Sequence, residues 1–550
     1  MYDTCQGTEI EFAAVATGSA SNEQAAMALA DAVRSQFAHL PHQCLDWSGH
    51  SVFLGNGSRW YIDCGMHPES GTPECRTPLD LVTWEKASER IMETASRLAS
   101  ETLHEEVTAF KNNIDYLHGI TWGCHESLCY KRSAIRAQEL RERLVPFLAT
   151  RPIFAGAGAV SSDPRGTGFE LSARARFLKH TTSSESTRER GIWHSKDEPL
   201  SAGGYARLHN LSGDSLMSEF GLYLRAGTFV LLVAALQAGC EVGKGLALVQ
   251  PVAAMQAVSR GFGDGIRLDL GDGRRLTAVE IQTEYLRQVR PFAEGASAPE
   301  WMADVCRKWE SVLGAIQQGS DALCSLLDAY AKRAVYGKTL ERQGLTWEGL
   351  RDWAHVIEAV VGCLQAPLQV AAGDIRQRVR EAVPAAHFDR VNSYMESRGM
   401  AWDLLLPMFR TYRALQETDV RYADVRPDAS GFHLLRRSGF MRDQLAAESD
   451  IERAMHEPPL NTRAKARGEA IRECAAAAAP GYAGWDFVQR EDRILRLDNP
   501  FAVDGAWHPA AGMDAASEEL FGLLRRHRRR RRPSPQPPDD AQQTLQTGDQ

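Results

Sequence analysis

Over two short stretches near the start of the chain, apolar and charged positions alternate. In "GTEIEF" (7–12), Ile10 and Phe12 alternate with Glu9 and Glu11; in "RWYIDC" (59–64), Trp60 and Ile62 alternate with Arg59, Tyr61 and Asp63. A period of two is that of a β-strand, whose successive side chains face opposite ways. Strands are therefore expected over 7–13 and 58–64, each with its charges on one face. Between them, "NEQAAMALADAVRSQFAHL" has the spacing of a helix, and after Cys75 "PLDLVTWEKASERIMETASRLASETL" repeats it at greater length behind a Pro. "EVTAFKNNID" reads as a strand running into a turn. "GIRLDLGDGRRLTAVEIQTEYL" reads as a hairpin around Gly271-Asp272-Gly273 followed by a helix. "GTFVLLVAALQAG" (227–239) is too short to span a bilayer and is expected to be a buried helix. "FAGAGAV" (154–160) matches no phosphate-binding motif and reads as a closely packed strand or turn. Residues 300–420 are mostly helical in pattern.

With 550 residues and 43% hydrophobic content, the chain can bury a large core and is expected to hold two domains. We expect a large unit over 1–430, a small one over 431–505, and a disordered Arg- and Pro-rich tail over 506–550. A net charge of −8 argues against a general nucleic-acid binder. The Arg run in the tail is suited to an acidic partner or nucleic acid, and reads more simply as a solvated tail. The N-terminus has neither the basic nor the apolar region of a signal peptide. The eleven cysteines form no CxxC pair, which argues against a structural zinc and suits reduced thiols in the cytoplasm; no membrane association is expected. Cys64 and Cys124 lie beside the charged motifs and read as small filler ahead of nucleophiles.

If the two alternating strands share a sheet, Glu9, Glu11, Arg59, Tyr61 and Asp63 form one polar floor, with Glu69 on the turn that follows. Carboxylates crowded in this way repel one another unless cations sit among them. Such an oxygen-rich set suits Mg²⁺, and an Arg adds a phosphate clamp. A wet sheet face with no further role accounts for the same alternation. Two more stretches add candidates. "FKNNIDYLHGITWGCHESL" brings Lys111, Asn112, Asn113, His125 and Glu126 near expected strand ends. "KDEPLSAGGYARLHNLSGDS" presents Lys196, Asp197, Glu198, Arg207 and His209, read as a loop. Arg207 suits either phosphate recognition or a structural ion pair.

These motifs, with "NGSRWYIDCGMHPESGTPEC" and "PPLNTRAKARGE", occur in the order seen in the family of Pup–protein ligase and its sister, the Pup deamidase/depupylase, which the chain resembles over most of 7–505. The resemblance implies an α+β fold similar to glutamine synthetase: a curved antiparallel sheet backed by helices, with a small C-terminal domain. It implies ATP and Mg²⁺ as cofactors, and Pup or a Pup-like protein and lysine-bearing targets as partners. Glu9, Glu11, Tyr61, Glu69 and His125 would lie at the metals, and Asp63 would be the catalytic base. Arg59 and Thr72 would contact ATP, and Trp485 would lie against the nucleotide. Arg207 and Arg463 would bind phosphate or the Pup carboxylate.

The hydrolase carries a long loop between the first strand and the Arg-Tyr-Asp strand; here that link is short, which favours ligation. "DCGMHPE" and "TRAKARGE" point the same way, while "GTEIEF" and "DVRYADVR" look more like the hydrolase. Against the family pattern, Lys196 stands for an Arg, Leu200 for a His and Ser70 for a Tyr, and about 349–410 looks like a helical insertion. These departures leave open a divergent ligase for another peptide carboxylate. A catalytically dead scaffold is disfavoured by the intact Glu9, Arg59, Asp63 and Glu69.

Overall fold

The computed structural model describes residues 4–38, 49–195, 200–201, 204–262, 265–364, 375–477, 481–490 and 493–510. Lys196, Asp197, Glu198 and residues 511–550 of the expected tail fall outside these.

The alternating segments pair into one eight-stranded sheet. From one edge its strands are His180–Ser183, Gly191–His194, Tyr205–Gly213, Cys124–Lys131, Cys5–Glu11, Pro68–Gly71, Arg59–Ile62 and Val52–Phe53. Pairing is antiparallel except between the first two. The two strands first recognised are thus not neighbours. Pro68–Gly71 lies between them, so Glu69 stands on a strand and not on the expected turn. Its four residues hold a Pro, a Ser and a Gly, which hide it from any propensity reading. Pro68 is tolerated because it occupies the first position.

Helices cover the apolar side of the sheet. Pro78–Leu103 starts at a capping box between Thr77 and Asp80, with Pro at its first position. It buries Leu81, Val82, Ile91 and Met92. Glu219–Gln237 extends the apolar run seen in the sequence. It is long and apolar enough to cross a membrane, yet it lies buried within the core, with Glu219, Arg225 and Thr228 buried in it. The expected hairpin Arg267–Asp269/Arg275–Thr277 leads into helix Ala278–Ala293. The stretch read as an insertion is helical, in Trp347–Leu364, Ile375–Ala382, Ala385–Glu396 and the start of Leu405–Tyr422. Leu350, Ile357, Phe388 and Met395 join the main core. Close packing at "FAGAGAV" is severe: a Cβ on Gly156 would meet the Leu171 carbonyl oxygen at 2.1 Å.

The expected boundary at 431 moves. Phe432 packs with Met217 and Tyr422, and Ile451 and Ala454 join the main core, so helices Gly431–Arg437 and Glu448–Ala454 belong to the large unit. The separate core is that of helix Arg463–Ala476 and a four-stranded antiparallel sheet, Gly481–Ala483 to Trp507–Pro509. The last of these strands lies in what the sequence suggested was tail. The charge-rich strands explain the misreading: Val488, Ile494 and Leu495 are buried among arginines.

Glu74 ties the small unit to the large one. Its carboxylate takes Arg463 Nε at 2.7 Å and Arg467 Nη2 at 2.5 Å. Burial pushes the carboxyl upward, but Arg467 and Arg463 outweigh it and hold its pKa at about 2. Because folding lowers this pKa, the link contributes its full stability, about 3 kcal/mol, above about pH 5 and loses it as pH falls toward about 2. Glu74→Gln is expected to destabilise the protein at pH 7 by about 3–5 kcal/mol, since it leaves two buried guanidiniums without their partner. In denaturant titrations the gap between wild type and variant should close as pH falls toward 2; a gap independent of pH would contradict the assignment.

Candidate active site: an acidic sheet face between two clefts

The alternation that defines the strands also builds the site. Trp60 turns to the apolar side, where it stacks on Phe12 with ring centroids 6.2 Å apart. Arg59, Tyr61 and Asp63 therefore turn to the other face. Register then decides which charges meet. Glu11 is paired with Glu69, Glu69 with Tyr61, and Glu9 with His125. Arg207 and His209 arrive on Tyr205–Gly213, a strand and not the expected loop. Arg207 Nη1 lies 3.6 Å from Glu9, His209 Nε2 3.8 Å and His125 Nδ1 3.4 Å. His125 Nε2 also lies 3.9 Å from Glu11. Tyr61 donates its hydroxyl hydrogen bond to Glu69, and the Arg59 guanidinium stacks 4.4 Å above the Tyr61 ring.

Asp63 ends the Arg59–Ile62 strand. Its Oδ1 accepts the backbone N–H of Gly65 at 2.8 Å and of His67 at 2.7 Å. The turn that presents these amides holds Met66 at φ +63°, a left-handed conformation that costs a side-chain-bearing residue free energy. One oxygen of Asp63 is thereby fixed. His67 Nδ1 lies 3.4 Å from Asp63 and 3.9 Å from Glu11, and its ring stacks on Trp122. Burial works to lower the His67 pKa, but the hydrogen bond to Asp63 and the charges of Asp63 and Glu11 raise it.

The electrostatics fit a bound cation. Burial, and the fields of Glu11 and Glu9, push Glu69 well above the ordinary carboxylate range. Burial would also raise Glu9, but His209, His125 and Arg207 bring it well below that range. Burial pushes the His209 pKa below the ordinary imidazole range, against the opposing field of Glu9. In each of two sets, Glu9–His125–His209 and Glu11–Asp63–His67, the donor atoms lie within 4.8 Å of one another. Carboxylates short of compensating charge, with a phenol oxygen beside them, are a donor set for a hard divalent cation such as Mg²⁺.

Beyond Glu9 a cleft with about 660 Å³ of empty space, its open mouth included, runs to the small unit and is lined by Thr72, Arg207, Arg463 and Trp485. Thr72 exchanges two hydrogen bonds with Thr8, through its hydroxyl and its N–H, both at 2.9 Å. Gly71 keeps the Trp485 ring close to the sheet: a Cβ there would stand 3.2 Å from the indole. Arg463 differs from the expectation. Its Nε pairs with Glu74 and its Nη1 with the carbonyls of Leu200 and Leu497, so it holds the cleft wall together. On the Asp63 side a second cleft, with about 1820 Å³ of empty space, is bordered by Met66, His67, Trp122, Tyr116 and Arg413.

Lys111 and Glu126 lie away from this face. Lys111 is fully buried between Glu85 and Glu89, and Glu126 is buried against Arg151 and Asn210. Asn113 bonds to the Trp122 carbonyl and Ser215, and Asn112 to the Ile114 carbonyl. Cys124 is buried, and burial pushes its thiol up to about 12, which leaves it inert at pH 7. The sequence reading missed His209 as a partner of Glu9, although Arg207 and His209 show the same i, i+2 spacing as Glu9 and Glu11.

A family model described as "Pup-ligase protein" matches residues 6–358 and 351–489. Among curated proteins, a depupylase of Acidothermus cellulolyticus is 34% identical over 80% of this chain and 75% of its own length. A Pup deamidase/depupylase of Mycolicibacterium smegmatis is 30% identical over 80% of this chain and 75% of its own length. Among solved structures, the complex of the prokaryotic ubiquitin-like protein Pup and its ligase PafA matches with a TM-score of 0.70 at 22% identity, covering 95% of this chain and 93% of that one. The Pup ligase PafA in complex with ADP matches with a TM-score of 0.65 at 24% identity, covering 88% and 91%.

Proposed function

The chain belongs to the Pup-ligase family, and on that premise we propose that it is an ATP- and Mg²⁺-dependent ligase, joining the C-terminal glutamate side chain of Pup or a Pup-like protein to a lysine of a target. The observation that carries this reading is the acidic face itself. Glu9, Glu11 and Glu69, with the Tyr61 hydroxyl, meet between a cleft walled by Trp485 and a cleft beside Asp63. One end suits a nucleotide, and a structurally similar protein is described in complex with ADP. The other end suits a peptide carboxylate and an amine.

A carboxylate resists attack until the ATP γ-phosphoryl group converts it to an acyl phosphate with a good leaving group. Mg²⁺, when bound at Glu9, Glu11 and Glu69, supplies charge neutralisation for phosphoryl transfer. The chain's own groups do the rest. Arg207 and Arg59 border the polyphosphate path. Trp485 offers an indole face to the purine. Asp63, its Oδ1 held by two amides, takes the proton from the lysine, whose free pKa of about 10.4 keeps it protonated at pH 7. Water is the competing nucleophile at the same carbonyl, so the same residues serve hydrolysis. That second reading is favoured by the curated relatives described as depupylase and Pup deamidase/depupylase. The short link between Glu11 and Arg59 favours ligation.

Intact mass spectrometry of the full chain with ATP, Mg²⁺, Pup ending in glutamate and a lysine-bearing acceptor decides the direction. An adduct of Pup plus acceptor minus water, with ADP formed, is the expected result. Cleavage of a preformed conjugate without adduct formation would replace ligation by hydrolysis. Trp485→Ala is expected to weaken nucleotide binding about tenfold, the range for loss of a base-stacking aromatic. Titration calorimetry with ADP reads this directly, and an unchanged affinity would remove Trp485 from the nucleotide site.

A further inference from the structure

Two thiols stand at the floor of the cleft that Trp485 walls, and the chemistry above gives them no task. Cys5 begins the strand Cys5–Glu11 and lies directly opposite Cys129 on the strand Cys124–Lys131. Among the described residues no other two cysteines are partners across neighbouring strands. Opposed residues of antiparallel strands share a face, and that face repeats every second residue. The pair Cys5–Cys129 is therefore followed by Gly7–Ser127 and then by Glu9–His125. The thiols thus lie in line with Glu9, and both border the cleft lined by Arg207, Arg463 and Trp485.

The two side chains touch. A hydrogen bond with Cys129, together with burial, pushes the Cys5 thiol well above the ordinary thiol range. Cys5 is buried and Cys129 partly exposed, so an oxidant entering the cleft meets Cys129 first. The backbone sets their spacing. Gln6 exchanges both its backbone bonds with Cys75, at 2.9 and 2.8 Å, so the backbone groups of Cys5 face Cys129. Opposed residues of this hydrogen-bonded kind have Cα atoms about 5.5 Å apart, within reach of a disulfide. Their Cβ atoms stand about 1 Å further apart than a relaxed disulfide requires, so the bond would draw the strands together and be easily reduced. On its other side Cys129 is the strand partner of Arg207, whose Nη1 lies 3.6 Å from Glu9. A pull on Cys129 is thereby passed to the guanidinium and the carboxylate that border the nucleotide path.

We infer that Cys5 and Cys129 are a dithiol oxidised by hydrogen peroxide, and that the disulfide between them switches off nucleotide binding in the adjoining cleft. The inference rests on the nucleotide reading of that cleft given above. The Cys129 thiolate attacks one peroxide oxygen, the O–O bond breaks, and hydroxide leaves to take up the proton that Cys129 released. Cys129 is then a sulfenic acid. The Cys5 sulfur attacks the Cys129 sulfur, the S–S bond forms, and the hydroxyl departs as water with the Cys5 proton. The two thiols give up two electrons, and one peroxide becomes two waters. A dithiol reverses the change by exchange.

The test uses the full chain, first reduced and then treated with hydrogen peroxide, with two independent readouts. After free thiols are blocked with iodoacetamide, peptide mass spectrometry is expected to find the Cys5 and Cys129 peptides joined, two hydrogens lighter than their sum. Affinity for ADP, read by titration calorimetry, is expected to fall about tenfold or more on oxidation and to return with dithiothreitol. Cys129→Ala, compared with its own untreated form, should change by less than about threefold under the same treatment. Absence of the joined peptides in wild type would overturn the inference. So would joined peptides with ADP affinity changed by less than about threefold. A loss in Cys129→Ala equal to that in wild type would also overturn it, and would assign the effect to another thiol such as the exposed Cys64. The nucleotide reading fails separately, if reduced wild type binds no ADP; the coupling then falls with it, while the joined peptides still show whether the pair oxidises.

Discussion

Asp63→Asn is expected to lower the rate of lysine modification by about 10²–10⁴ while nucleotide affinity stays within about twofold. The substitution keeps the shape of the site. An amide oxygen can still accept the N–H groups of Gly65 and His67 that fix Asp63 Oδ1, so the turn at Met66 should stand. What is lost is the capacity to take a proton. The deficit should therefore narrow as pH rises toward the lysine pKa of about 10.4, where the amine no longer needs a base. A deficit constant with pH and a parallel loss of metal-dependent nucleotide binding would give a different answer. Asp63 would then act with Glu11 and His67 as a ligand set, not as the base.

Lys111→Met is expected to destabilise the protein by about 3–5 kcal/mol, a large share of the 5–15 kcal/mol typical of a folded domain. Lys111 Nζ lies 2.8 Å from Glu85 and 2.9 Å from Glu89, and it donates to the Leu216 carbonyl at 2.8 Å. Burial would lower its pKa, yet Glu85 and Glu89 raise it; in return Lys111 and Lys86 overcome burial and hold Glu89 at about 2. Without Lys111, the ion pairs left to these carboxylates among the described residues are Glu85 with Arg225 and Glu89 with Lys86. Glu85 also accepts the Thr8 hydroxyl at 3.0 Å, which ties this network to the strand carrying Glu9 and Glu11. The loss should thus appear both in denaturant midpoint and in catalytic rate. A single-variant cost below about 1 kcal/mol would contradict the network's role.

The site was legible where chemistry and period coincide. Glu9, Glu11, Arg59, Tyr61 and Asp63 follow an i, i+2 rule that needs no knowledge of pairing. Arg207 and His209 follow the same rule, but surrounding Gly, Ser and Asp residues disguised their strand as a loop. Glu69 could be placed on the right face only once its strand was inserted between the other two, because register is a long-range property that a four-residue "PESG" does not announce. Lys111 looked like a site residue for the opposite reason. A lysine between polar residues reads as exposed, and only the helix Pro78–Leu103 laid against it supplies the buried carboxylates that neutralise it. The boundary of the small unit was misplaced for a related cause. Phe432 and Ile451 find their partners in elements far apart in sequence, and no local signal records that.

The most direct test of the account follows oxygen atoms. Pup labelled with ¹⁸O in the carboxyl groups of its C-terminal glutamate would be incubated with the full chain, ATP, Mg²⁺ and a lysine-bearing acceptor, and the released phosphate examined by mass spectrometry. Activation of the carboxylate by phosphoryl transfer predicts one ¹⁸O in each phosphate formed together with conjugate. Phosphate free of label, with ADP accumulating, would mean that the acidic face hydrolyses ATP without activating the carboxylate, and would contradict the ligase reading.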